Sequence, residues 1–142
     1  MIKSVKKPFR IVSFSLVIML CLCLICPIAL ARGSYYIDSY SVSMSAGSNG
    51  NVTAWFQILG VDTMDQIGAV TVTIYENGSL VKTYSSTTTS GMMAYNTFFY
   101  GSSITYPGTI GKTYYAYVTF QAGRNGDWDN RLMQTNTVTA CK

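Results

Sequence analysis

The sequence predicts an all-β protein, an antiparallel sandwich of about seven strands behind an N-terminal export segment. Three observations predict it. Beyond Ala31 apolar and polar residues alternate with period two, the mark of strands with one face buried. All eleven tyrosines and all sixteen threonines fall in that part, and both residue types suit a pleated surface. Turn signals at Ser48-Asn49-Gly50, Asn77-Gly78, Tyr106-Pro107-Gly108 and Asn125-Gly126 cut the chain into strand-length pieces.

The first element is a signal helix over residues 1–31. Lys3, Lys6, Lys7 and Arg10 precede a nearly unbroken apolar run over 11–30, and Pro27 precedes the small-residue site Ala29-Leu30-Ala31. Cleavage after Ala31 leaves residues 32–142 as one domain, long enough to bury its own core. If the leader stays, its length suffices to span a bilayer and anchor the domain. Lipidation does not fit, because Leu20, Leu22 and Ile25 stand before Cys21, Cys23 and Cys26. Only Cys141 then remains, so no intrachain disulfide forms. The formal net charge of +4 also vanishes, since six cations face six acids beyond Ala31. Neither nucleic acid nor an anionic membrane surface is an expected partner of the cleaved chain.

Seven strands follow. Residues 35–45 turn at Asn49-Gly50 into 51–59, and a loop over 60–68 leads to 69–76. Asn77-Gly78 then makes a type I′ hairpin into 79–84, because both central residues of that turn need positive φ. A Ser/Thr-rich connector over 85–96 precedes strands at 97–106, 112–122 and 131–140. The apolar phase is even: Tyr40, Val42 and Met44; Val52, Ala54, Phe56 and Ile58; Val70, Val72 and Ile74; Phe98, Tyr100 and Ile104; Ala116, Val118 and Phe120; Leu132 and Val138. These are expected to face the core.

Tyr114 sharpens the sandwich to an immunoglobulin-like one. It stands near the start of a strand, two residues before the small inward Ala116, where such domains place a tyrosine whose hydroxyl bonds back to the corner. Ala54 and Ala116 hold the positions of the usual disulfide, so the expected sandwich is disulfide-free. Alternatively Tyr114 is an ordinary strand tyrosine.

Catalysis has little to draw on. Histidine is absent, which removes the commonest general base and metal ligand. No nucleophile elbow or phosphate-cradling loop occurs. A carboxylate pair of the glycosidase kind is the one remaining chemistry, and nothing marks two acids as facing across a cleft. The chain reads as non-enzymatic, with no cofactor.

Two acidic loops are expected at one end of an immunoglobulin-like sandwich: the one holding Asp62 and Asp65, and the one running from Gly123 to Arg131. Asp62, Asp65, Asp127 and Asp129, with Asn125, offer oxygens for a Ca²⁺ ion. The plainer alternative has Asp62 or Thr63 capping a helical turn, while Asp127 and Asp129 meet Arg124 and Arg131. Trp128 stands between two aspartates at the expected loop tip, as a binding anchor or as a plug over the sandwich end. On the odd phase Tyr75, Tyr115 and Tyr117 point outward beside Thr71, Thr73, Thr119 and Gln121. Such a flat aromatic-polar platform suits sugar or protein contact, and the same pairs also stabilise a sheet without binding anything. Trp55 is outward on the opposite sheet.

The runs Ala31-Arg-Gly-Ser-Tyr-Tyr-Ile-Asp-Ser-Tyr-Ser, Ser45-Ala-Gly-Ser-Asn-Gly, Gly60-Val-Asp-Thr-Met-Asp-Gln-Ile-Gly-Ala69 and Tyr115-Ala-Tyr-Val resemble a family of small exported proteins of clostridia-type Gram-positive bacteria, known as a domain of unknown function. The resemblance implies a secreted or cell-surface setting and adds no catalytic residue. The expected function is non-enzymatic binding of a cell-surface glycan or protein. The alternatives are assembly through sheet edges or Cys141, and a membrane-anchored surface domain.

Overall fold

The structure, a computed structural model, describes residues 34–142; the expected leader and its cleavage site lie outside the described residues. Seven strands, all paired antiparallel, form the sheet: β1 (Ile37–Ala46), β2 (Asn51–Glu76), β3 (Ser79–Ser85), β4 (Met93–Pro107), β5 (Thr113–Arg124), β6 (Asp127–Gln134) and β7 (Val138–Thr139). The Asn-Gly turns behave as their chemistry requires. Asn77 and Gly78 have φ of 47° and 84°, and Asn125 and Gly126 have 54° and 80°, the doubly positive geometry of two-residue hairpins. Among the described residues no helix is long and apolar enough to cross a membrane.

The main departure from the expected layout is β2. The loop expected over 60–68 is extended, so one strand of 26 residues replaces two. Its first half pairs with β1 on one side and β4 on the other. Its second half pairs with β5 and β3, and β5 carries β6 and β7. The expected helical turn at Thr63 is accordingly absent. Near residues 64–68 β2 lies between β4 and β5, with Ala69 N–H donating to the Met92 carbonyl at 2.7 Å.

Both halves feed one core. Val52, Ala54, Phe56 and Ile58 of the first half and Val72, Ile74, Ala116, Val118 and Phe120 of the second are buried together. Phe120 carries the contact between them, with ring centroids 5.3 Å from Tyr40 and 6.4 Å from Phe56. Three residues expected inside are not core. Val70 is half-buried because the β2–β5 register shifts between Ala69 and Thr71; burial runs on odd numbers at Ile67 and Ala69 and returns to even at Val72. Phe98 is 57 % exposed where the β2–β4 register shifts, beside Asn96 at φ 53°. Leu132 is 62 % exposed: the Asn125-Gly126 turn sets Thr119 opposite Leu132, and Thr119 is on the outer face. The expected strand over 131–140 therefore starts earlier and divides into β6 and β7.

Between β6 and β7, side chains stand in for strand pairing. The buried Thr135 accepts the Ala116 N–H through Oγ1 at 2.9 Å and donates to the Asn136 carbonyl at 2.8 Å. The Asn136 amide accepts the Met44 N–H at 2.8 Å and donates to the Met44 carbonyl at 2.9 Å. These bonds tie the C-terminal segment to β1 where no ladder runs, which satisfies backbone groups that would be costly to leave unpaired.

Candidate functional site

Register brings the three outward tyrosines together. Tyr75 lies opposite Tyr115, and Thr73 opposite Tyr117. The Tyr75 and Tyr115 rings stack with centroids 5.0 Å apart and planes 3° apart. Tyr117 meets both edge-on, at 5.7 Å and 5.9 Å. All three are half-buried. Thr71 Oγ1 donates to Thr119 Oγ1 at 3.0 Å, and Gln121 donates to Asn130 at 3.2 Å.

Cross-strand partners share a face, so the same surface extends to Thr83 and Ser85 of β3 and to Leu132 and Gln134 of β6. None of these side chains is charged. The composition of hydroxyls, amides and aromatic rings suits a neutral, hydroxyl-bearing ligand: rings take its C–H faces and polar groups its hydroxyls. Leu132 and Gln134 fall in the strand expected over 131–140, but with Leu132 inward; the strand instead begins at Asp127, and the Asn125-Gly126 turn is the signal that fixes the opposite phase.

The acidic residues do not converge. Asp62 pairs with Arg124 at 2.9 Å, both ends well exposed, so water screens the pair and it adds little to stability. Asp65 accepts the Asn125 N–H at 2.7 Å. The N–H of Thr63, then the Arg124 guanidinium, hold the Asp62 carboxyl below its ordinary value. Asp129 is engaged by other partners and anchors the start of β1, accepting the Ser34 hydroxyl at 2.6 Å and the Tyr36 N–H at 2.9 Å. Burial pushes Asp129 up, but the Ser34 hydroxyl, the Tyr36 and Tyr35 N–H groups and the Arg131 charge outweigh it and hold the carboxyl below its usual range. Asp127 accepts from the Tyr36 hydroxyl at 3.3 Å. Among the described residues no group of three or more Asp, Glu, Cys or His is placed to hold a metal ion.

Trp128 is not at a loop tip. It is the second residue of β6, opposite Gly123, and its indole covers that glycine so closely that a Cβ there would run into the ring. With 38 % exposure, Trp128 offers a rim more than a free anchor. Cys141 is exposed and free, its thiol 3.5 Å from the Gly47 carbonyl.

Tyr114 is fully buried. Its hydroxyl accepts the Thr109 N–H at 2.8 Å and donates to Glu76, tying the loop before β5 to the end of β2. Burial first, then the bond to Glu76, raises its ionisation above the ordinary tyrosine value, against the lowering effect of Thr109. The folded chain thus holds this phenol protonated to higher pH than the unfolded chain does. The stabilisation is complete below about pH 10 and is lost as pH rises through the folded value. Tyr114→Phe should flatten the alkaline fall in stability and cost about 1–3 kcal/mol at neutral pH by orphaning the Thr109 N–H. Urea unfolding midpoints from pH 7 to 11 check both parts.

Comparison with protein-family models, with curated proteins and with solved structures finds no match to this chain.

Proposed function

We propose that this is an exported, non-enzymatic binding protein that holds a neutral cell-surface glycan on the Tyr75/Tyr115/Tyr117 face. The observation that carries the reading is the three-ring cluster set in an uncharged field of threonine, serine and glutamine. The signal-like leader and the resemblance to small secreted clostridia-type proteins support release from the cell or display on its surface. The lack of histidine and the separate engagement of the aspartates support a non-catalytic role.

The strand pairing supports an immunoglobulin-like sandwich in which two strands have run together. The first half of β2 with β1 and β4 corresponds to an A-B-E sheet, and the second half with β3, β5 and β6 to a C′-C-F-G sheet. On this reading the tyrosine face is the open side of the second sheet.

The test is retention on insoluble host cell-wall polysaccharide. Tyr115→Thr with Tyr117→Thr should weaken retention by about tenfold or more while the protein stays folded, with a loss of about 1–2 kcal/mol from the ring pairs. Retention equal to that of the parent protein rejects the platform.

One observation favours a second reading, assembly. β4 pairs with β2 alone, and its 15 residues include no charged side chain. Charges are a usual guard of open edges. If subunits associate there, sedimentation velocity should show concentration-dependent dimers that Thr97→Lys disperses; a strict monomer at high concentration rejects the idea.

A further inference from the structure

The half of the sheet built from β1, the first half of β2 and β4 carries its own outward face, opposite to the one that buries Val52, Phe56 and Ile58. Register aligns three rows on it. Ser43 lies opposite Trp55 and Ser41 opposite Gln57; on the other side Gln57 lies opposite Gly101 and Leu59 opposite Phe99. Two adjoining concavities of about 330 and 370 Å³ lie along these rows and share Ser41 and Gln57. They form one trough. From Trp55 at one end to the level of Phe99 at the other is four residues along β2, about 13 Å.

The ends are aromatic, and between them Ser41, Ser43 and Gln57 supply hydroxyl and amide groups, with Leu59 beside Phe99. Trp55 is 51 % exposed and Phe99 48 %, large rings left open to water. Trp55 is held rather than loose, because its Nε1–H donates to Ser45 Oγ at 3.1 Å and fixes the indole by its edge. Gly101 lies on the trough floor, opposite Gln57 and against the tip of the Phe99 ring. A Cβ there would sit at 3.5 Å from Gln57 and Phe99, ordinary contact, and Gly101 is not among the positive-φ glycines. The backbone therefore tolerates a Cβ at this position, and what the glycine provides is a low floor against Gln57 and the Phe99 ring that further side-chain atoms would raise. No lining residue is charged.

We propose that this trough is a second carbohydrate site, distinct from the tyrosine platform, that takes a short linear run of an uncharged glycan. Trp55 and Phe99 stack on sugar C–H faces, and Ser41, Ser43 and Gln57 bond the ring hydroxyls. An extended peptide fits less well, because the trough lies on a sheet face whose backbone groups are already paired, and a peptide's own N–H and C=O groups would find few partners there. With two sites on one chain, a polymer is held with higher avidity than either site gives alone.

The test uses the protein as recovered from its host, with Trp128→Phe leaving Trp55 the single tryptophan, in both the parent and the Tyr115→Thr/Tyr117→Thr backgrounds. Soluble β-glucan, xylan and chitin oligosaccharides are titrated against Trp55 emission, with serine- and glycine-rich peptides as comparison. At least one oligosaccharide should shift the emission saturably in both backgrounds. Gly101→Val should weaken that response by about tenfold or more without lowering the thermal midpoint, since a β-branched residue suits an exposed strand position. No response to any oligosaccharide, a response equal in Gly101→Val, or a response to peptide alone would each overturn the assignment. Because the readout is Trp55 in a platform-deficient background, failure here is distinguishable from failure of the platform.

Discussion

Phe120→Ala is expected to lower the free energy of unfolding by about 3–5 kcal/mol, a large share of the roughly 5–15 kcal/mol that a domain of this size possesses. Phe120 is fully buried and packs against Tyr40 and Phe56 from the other half of the sheet. Truncation removes the burial of the ring and leaves a cavity at the place where the two halves meet. Collapse is restricted there because each neighbour is fixed in a paired strand. Chemical unfolding should show a lower midpoint with an unchanged slope. Phe120→Leu, which refills most of the volume, should recover much of the loss.

Gly68→Ala is expected to be comparably severe, about 3 kcal/mol or more from steric overlap and strained backbone together. Gly68 has φ 153° and lies where β4 and β5 both pair with β2. A Cβ would run into the Met92 carbonyl and crowd the Met93 Cα at 2.8 Å. Relief requires moving β4 away from β2, which also strains the hydrogen bond from Ala69 to Met92. The change should lower the thermal midpoint by several degrees and speed hydrogen exchange at Ala69 first. Gly78→Asn is a useful contrast, because a Cβ at that turn position would meet nothing within 4 Å, and asparagine tolerates the left-handed backbone there.

How much of this was legible in the sequence depended on whether the cause was local. The two Asn-Gly turns fix their own geometry, and through it the β2–β3 and β5–β6 registers. Most of the core could be read from alternation for the same reason. Gly60 and Gly68 read as loop punctuation because glycine breaks strands when nothing else is known. In the fold they instead let Met64 and the Met92 carbonyl approach a continuous strand. The bulge at Val70 and the exposure of Phe98 arise from pairing with distant strands, which no local pattern records. Leu132 faces outward because the phase of β6 is set by the turn at Asn125-Gly126, ahead of where the sequence pattern predicts that strand to begin.

At the candidate sites, the tyrosine cluster was foreseeable from strand phase, given the assumption that strands 69–76 and 112–122 are neighbours. The trough was not, since Trp55, Ser41 and Gly101 come together only through long-range register. The four aspartates looked like one cluster because two acidic segments share one end of the domain. Asp62 and Asp65 do approach Arg124 and Asn125, but Asp129 is taken up by Ser34 and Tyr36.

The most direct measurement of the glycan-binding reading is an NMR titration of the protein, with tyrosine ring signals assigned, against solubilised neutral host cell-wall glycan. Saturable shifts of the Tyr75, Tyr115 and Tyr117 ring protons are expected, with the Tyr75 shift lost in the Tyr115→Thr/Tyr117→Thr variant. Saturating glycan that leaves those three rings unmoved would contradict that reading.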